Sequence, residues 1–255
     1  MAKHGGKVLK MFPTGKYGSY REWYNSTDGG EYRRLDESLA FVSEAFEKEQ
    51  TIDGILGFSQ GGNLATSIAV LGERGALPAF SKFAEDGFVV GLSPHRPRDP
   101  RVSDVLDGAP LKTRALFVVH ADDPVVPASL TRSLPPHFAP GHATLVEAPG
   151  AKHSPAQLAR GTFPEITAFF EEMRTRKARK GESATAEDFV VRGRLGALVR
   201  EGREMTSPEV TMLATDTVVQ VVETKTIVNN VLRCRLISPV RGWCSRKNLA
   251  PKPPS

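Results

Sequence analysis

Gly57-Phe58-Ser59-Gln60-Gly61 fits the pattern G-x-S-x-G, between the short apolar run Ile55-Leu56-Gly57-Phe58 and an apolar-periodic stretch that starts at Gly61. That setting predicts a serine on a sharp turn from a buried strand into a helix, with small neighbours two residues away. Its hydroxyl would stand above the sheet, and the amide of Gln60 would face the oxyanion formed in acyl transfer. A serine hydroxyl is a poor nucleophile until a base takes its proton, so an acid and a histidine must follow, in the order Ser, Asp, His. Two later segments hold them: His120-Ala121-Asp122-Asp123-Pro124-Val125-Val126-Pro127, and Pro149-Gly150-Ala151-Lys152-His153-Ser154-Pro155. His153 is the expected base, and Asp122 or Asp123 the acid. His95 precedes the acid, the wrong order, while His120, His137, His142 and His4 lie at a strand end, in a Pro- and Gly-rich stretch and near the terminus. No pair of histidines has helical metal-ligand spacing, so no metal is expected.

These three loops need elements to carry them. Leu35, Leu39, Val42, Ala45 and Phe46 recur at helical spacing over 35–49, and Leu64, Ala65, Ile68, Ala69 and Leu71 do so from Gly61 to Gly72 or Gly75. Phe88–Leu92 and Ala115–Val119 are continuous apolar runs bounded by turn residues, and Ala143–Glu147 is a weaker one. Phe163–Met173 reads as a closing amphipathic helix. Apolar strands alternating with helices predict a mostly parallel sheet covered by helices on both faces. The acid would then stand at the C-terminal end of a strand, where such sheets place their chemistry.

Charge divides the chain. Residues 1–173 hold 18 basic and 21 acidic side chains, so the formal excess of +5 belongs to the remainder. Arg174-Thr175-Arg176-Lys177-Ala178-Arg179-Lys180-Gly181 is read as a solvated helix end and linker, with no nucleic-acid or membrane partner implied. No apolar run approaches the roughly 20 residues of a bilayer span, and the N-terminus lacks the apolar stretch of a secretory signal. Two cysteines form no disulfide framework, and a cytoplasmic protein with free thiols is expected.

From Gly196 the period changes to two. Thr217–Glu223 and Val231–Ile237 read as strands, with turn signals at Asn229-Asn230 and Ser238-Pro239. Short strands at close spacing predict a small β-barrel. The expected organisation is therefore an α/β domain over 1–175, a basic linker over 176–192 and a barrel over 193–251.

The N-terminal residues resemble the FSH-type family of small serine hydrolases. The resemblance runs through Phe12-Pro13, Glu22-Trp23-Tyr24, Leu35-Asp36-Glu37-Ser38-Leu39, Asp53 to Gly61, Ser93-Pro94-His95-Arg96-Pro97-Arg98-Asp99, His120 to Pro127 and Gly150-Ala151-Lys152-His153. It implies an α/β-hydrolase fold, Ser59 as nucleophile, Asp123 rather than Asp122 as acid, His153 as base, and hydrolysis of a small ester or thioester without cofactor. Members of that family begin with a strand ending in a His-Gly loop that supplies a second oxyanion amide. This chain is expected to start after that strand, with Lys7–Phe12 as the next one, and so to turn over slowly. The C-terminal part resembles a bacterial-type SH3-like barrel, through Leu198 to Gly202, Val210, Val218 to Val222 and Ile237 to Ser245, with a Gly-Trp near its last strand. That resemblance implies a protein or peptide partner, with Trp243 either plugging the barrel or lining a groove. Two functions stay open: a serine esterase or thioesterase with an appended interaction module, and an inactive hydrolase-fold scaffold whose SH3-like part binds the partner.

Overall fold

A computed structural model of the chain describes residues 22–49, 52–81, 83–150, 153–155 and 163–253. The chain divides into two compact units, with the boundary between Phe170 and Glu171. The segment expected as a strand at Lys7–Phe12 lies outside the described residues.

The first unit is built on four parallel strands, β3 (Gly54–Phe58), β4 (Phe88–Leu92), β5 (Arg114–His120) and β6 (Ala143–Ala148), side by side in chain order. A short antiparallel pair, β1 (Asn25–Ser26) and β2 (Tyr32–Arg33), precedes them. The helices are α1 (Leu35–Lys48), α2 (Gln60–Glu73), α3 (Phe83–Asp86), α4 (Pro100–Leu106), α5 (Ala128–Arg132) and α6, which starts at Pro164. The two inner strands, β4 and β5, are the strongest apolar runs because a parallel strand under helices is buried on both faces, whereas β3 and β6 are only partly buried. In β5 every residue from Ala115 to His120 is buried. Register pairs Phe58 with Leu92 and Leu92 with Val118, so the strand ends that lead into the candidate loops lie in one row.

α2 is buried without a break from Gly62 to Gly72. Small and apolar residues let it lie close to the sheet, and two of its polar members, Thr66 and Ser67, are satisfied within the helix. Thr66 Oγ1 donates to the Gly62 carbonyl and Ser67 Oγ to that of Asn63, both at 2.9 Å.

The second unit is a seven-stranded antiparallel sheet: β7 (Glu187–Val191), β8 (Ala197–Arg200), β9 (Glu209–Leu213), β10 (Val218–Thr226), β11 (Leu232–Ser238), β12 (Gly242–Ser245) and β13 (Leu249–Pro251). Its order is β13-β7-β10-β11-β12-β8-β9. Alternation sends Val219, Val221, Cys234, Leu236 and Cys244 into one core. Asn229 and Asn230 take φ of 63° and 58°, the left-handed turn geometry that asparagine tolerates. Cys234 and Cys244 pair directly across β11 and β12, and both are buried free thiols. Burial raises both thiol pKa values; for Cys244, with Cys234 adding to it, the value reaches about 12.

The expected linker is the main departure. α6 continues to Ala184, and β7 then opens the sheet, so residues 176–192 hold helix and strand. Arg, Lys, Ala and Glu are good helix formers, and a helix polar on all sides reads in sequence like a tether. Phe189-Val190-Val191, all buried, is the apolar signal inside that stretch. Among the described residues no helix is long and apolar enough to cross a membrane.

Candidate active site

The turn at Ser59 has a steric origin. A Cβ on Gly57 would collide with the Gly61 carbonyl and lie 2.5 Å from the Gly62 nitrogen, so only glycine lets β3 turn straight into α2. A Cβ on Gly61 would meet the Trp23 indole, with its nitrogen at 3.4 Å, whereas one on Gly62 would press on Pro94 Cβ at 3.0 Å. The close-approach position is thus Gly62, one residue beyond the motif's second glycine. Ser59 itself sits at φ 54° and ψ −121°, a strained conformation for a residue with a side chain. Its amide donates to the Leu92 carbonyl at 2.8 Å, and its carbonyl accepts from Gly62 and Asn63 at 2.9 and 3.1 Å. Gln60 is the first helical residue, where the backbone N–H has no partner within its own helix.

Asp123 is the acid that the structure joins to the histidine. Its side chain is fully enclosed, and Oδ2 lies 2.8 Å from His153 Nδ1. Oδ1 accepts from the amides of Val125 and Val126 at 2.8 and 2.9 Å. Burial pushes this carboxyl up, but hydrogen bonds from His153, Val126, Val125 and Ser93 together outweigh it and hold the pKa at about 2. An ionised carboxylate only accepts, so Nδ1 of His153 carries the proton that bonds the two, and Nε2 is the ring nitrogen turned away from Asp123. Asp122 is exposed. The His153 ring lies against Phe58, the neighbour of Ser59, with ring centroids 4.6 Å apart. β3, β5 and the loop after β6 thus bring Ser59, Asp123 and His153 to one end of the sheet.

Several supporting residues were not legible as such. Ser93, at φ 46° after β4, gives the additional hydrogen bond to Asp123. The Gln60 side chain accepts from the Trp23 amide at 2.7 Å and donates to the Tyr24 carbonyl at 2.8 Å, which fastens residues 23–24 to the turn. Asn63 Nδ2 donates to His95 Nε2 at 2.5 Å and to the Tyr24 hydroxyl at 3.2 Å, while Asn63 Oδ1 accepts from the His95 amide at 2.7 Å. His95 Nδ1 meets the Arg96 carbonyl at 2.8 Å, and burial lowers the His95 pKa, so the ring is a neutral connector. Asp99 caps α4 and accepts from the Tyr32 amide at 2.7 Å. The sequence signal was present in the run from Ser93 to Asp99, whose residues lock the segments around the turn. His120 is buried at the end of β5 with Nε2 3.4 Å from the Ser154 carbonyl, one residue beyond His153.

The chain is similar to known hydrolases. Human Esterase OVCA2 is 33% identical over 118 residues, 46% of this chain and 50% of that protein, and bovine Esterase OVCA2 is 34% identical over the same shares. The chain thus spans about half the length of the curated relatives it matches. Among solved structures, acyl-protein thioesterase 2 of Zea mays aligns with a TM-score of 0.41 at 16% identity, covering 62% of this chain and 71% of that one. The family model for serine hydrolases of the FSH1 type matches residues 3–160, well over half of the sequence, and on that match the chain belongs to the FSH1 serine hydrolase family.

Proposed function

We propose that this protein hydrolyses carboxylic esters or thioesters through Ser59, His153 and Asp123. The observation that carries the proposal is the buried Asp123–His153 pair, 2.8 Å apart, with the imidazole packed on the residue that precedes the strained Ser59. Nε2 of His153 takes the Ser59 proton as Oγ attacks the acyl carbon, and Asp123 steadies the imidazolium that forms. The Gln60 amide donates to the oxyanion of the tetrahedral intermediate. Collapse expels the alcohol or thiol, protonated by His153, and leaves an acyl-serine. Water, deprotonated by the same imidazole, then releases the acid and restores Ser59. The curated relatives are named esterases, in keeping with this chemistry.

A fluorophosphonate probe tests it without a known substrate, because only an activated serine reacts. We expect the wild-type chain to label and Ser59→Ala not to; a wild-type chain that stays unlabelled is a scaffold, not an enzyme. We further propose that the C-terminal unit is an SH3-like module that docks a peptide or protein partner. In support, β13, β7, β10, β11 and β12 adjoin in that order, and a helical turn at Arg246–Asn248 separates the last two strands in sequence.

A further inference from the structure

β12 turns Cys244 into the core of the C-terminal unit, so Trp243 stands on the opposite face. On that face are its register partners, Arg235 of β11 and Arg200 of β8. Arg233, two residues along β11, shares the face and is fully buried there. Its guanidinium donates only to neutral acceptors, the Trp243 carbonyl at 2.8 Å, Met205 Sδ at 3.1 Å and Ser245 Oγ at 3.4 Å. A cavity of about 350 Å³ opens beside this cluster, lined by Trp243, Val210, Arg235, Arg241, Leu236 and Glu201.

A carboxylate of the same unit already reaches the cluster. Glu182, in the last turn of α6, places Oε1 2.8 Å from Arg235 Nη1 and Oε2 2.9 Å from Arg241 Nη1, one guanidinium on each oxygen. We propose that this face is a docking groove for a peptide with one carboxylate set among apolar side chains, and that Glu182 is an internal stand-in displaced by that carboxylate. The inference rests on reading the C-terminal unit as a binding module and names the partner's chemistry.

Four observations point to such an occupant. Arg235 also lies 3.3 Å from Glu223 and Arg200 3.0 Å from Glu209, but the buried charge of Arg233 has only neutral acceptors bonded to it, which leaves the face one positive charge in excess of these pairs. Of the two bonds that hold Glu182, the one to Arg241 is easily given up: that guanidinium is about half exposed, and exposed ion pairs contribute only ~0–1 kcal/mol. Gly181 just before it weakens the helix end. Trp243 and the partly exposed Val210 offer apolar surface beside the guanidinium groups. Glu201 in the same cavity repels a second negative charge, which selects a singly acidic, apolar peptide over a polyacid.

The test uses the whole chain and a fluorescein-labelled, end-blocked peptide, Leu-Pro-Leu-Glu-Leu-Pro, beside the same peptide with Gln for Glu, both read by anisotropy. Glu182→Gln should bind the Glu peptide about fivefold more tightly than the wild type, because the internal competitor is gone. Arg241→Glu should lose about tenfold or more, and Arg241→Lys should recover part of it. The Gln peptide should bind Glu182→Gln about tenfold more weakly than the Glu peptide. Melting curves of the exposed-site variants confirm that each is folded. Equal affinity of wild type and Glu182→Gln, or of the two peptides, overturns the proposal. If the Gln peptide then binds and Trp243→Ala weakens it, the module survives as a binder and only the carboxylate chemistry falls. No binding of either peptide to Glu182→Gln at millimolar concentration overturns both.

Discussion

At the scale of single residues, the acid of the site is chosen by what surrounds it. Asp122 and Asp123 are adjacent in sequence, yet only Asp123 is enclosed and bonded by two amides, a serine and the imidazole. Asp123→Asn should therefore lower turnover by about 10⁴, because an amide can hold the imidazole in the wrong tautomer, while Asp122→Asn leaves it near wild type; steady-state hydrolysis of a small ester measures both. The opposite ranking would exchange the two assignments. The same carboxyl leaves a trace in acid. Its pKa falls from 3.8 unfolded to about 2 folded, so its stabilisation is complete above about pH 4 and fades as pH drops towards 2. Denaturant melts between pH 5 and 2 should show wild type losing stability more steeply than Asp123→Asn. Sequence order could reveal a Ser, an Asp and a His, but not Ser93 as a fourth partner, since nothing local marks a serine that reaches across to another strand's loop.

At the scale of elements, steric fit decides which positions accept change. Gly57 has no room for a methyl group against the start of α2, whereas Gly61 has only the Trp23 indole in ordinary contact. Gly57→Ala should cost about 3 kcal/mol, roughly 10 °C in melting temperature, while Gly61→Ala shifts it by no more than roughly 2 °C. In α6 the opposite holds: a Cβ on Gly181 meets nothing within 4 Å. Gly181→Ala should therefore stabilise the helix by about 0.5–1 kcal/mol, seen as a higher helix signal and melting point. The parallel strands were legible because three are short apolar runs between turn residues and the fourth, β6, is a weaker one. The far half of α6 and β7 were not, since a helix that buries little carries no period to read and a three-residue apolar run is too short to stand out.

At the scale of the whole molecule, two separate cores imply two separable stabilities. One centres on α2 and the parallel sheet, the other on Val219, Cys234, Leu236 and Leu249. Leu249→Ala should remove about 2–5 kcal/mol from the second alone. Calorimetry should then show one melting transition moved down and the other in place, with ester turnover at room temperature unchanged. A single transition that moves as a whole would mean the units unfold together. The change of hydrophobic period near Gly196 was enough to announce two architectures from sequence. It misplaced the border because charge, not packing, was used to draw it.

The backbone at Ser59 has a consequence for how such a chain can evolve. A residue with a side chain is held at φ 54° and ψ −121°, a region that glycine enters freely. Ser59→Gly should therefore melt at a higher temperature than the wild type, by about 1 kcal/mol after the added flexibility of its unfolded chain, while losing all reaction with the fluorophosphonate. Selection for stability alone would drive this position to glycine and remove the proposed nucleophile. A higher melting point together with lost labelling would mark Ser59 as a position where folding and the proposed chemistry pull in opposite directions.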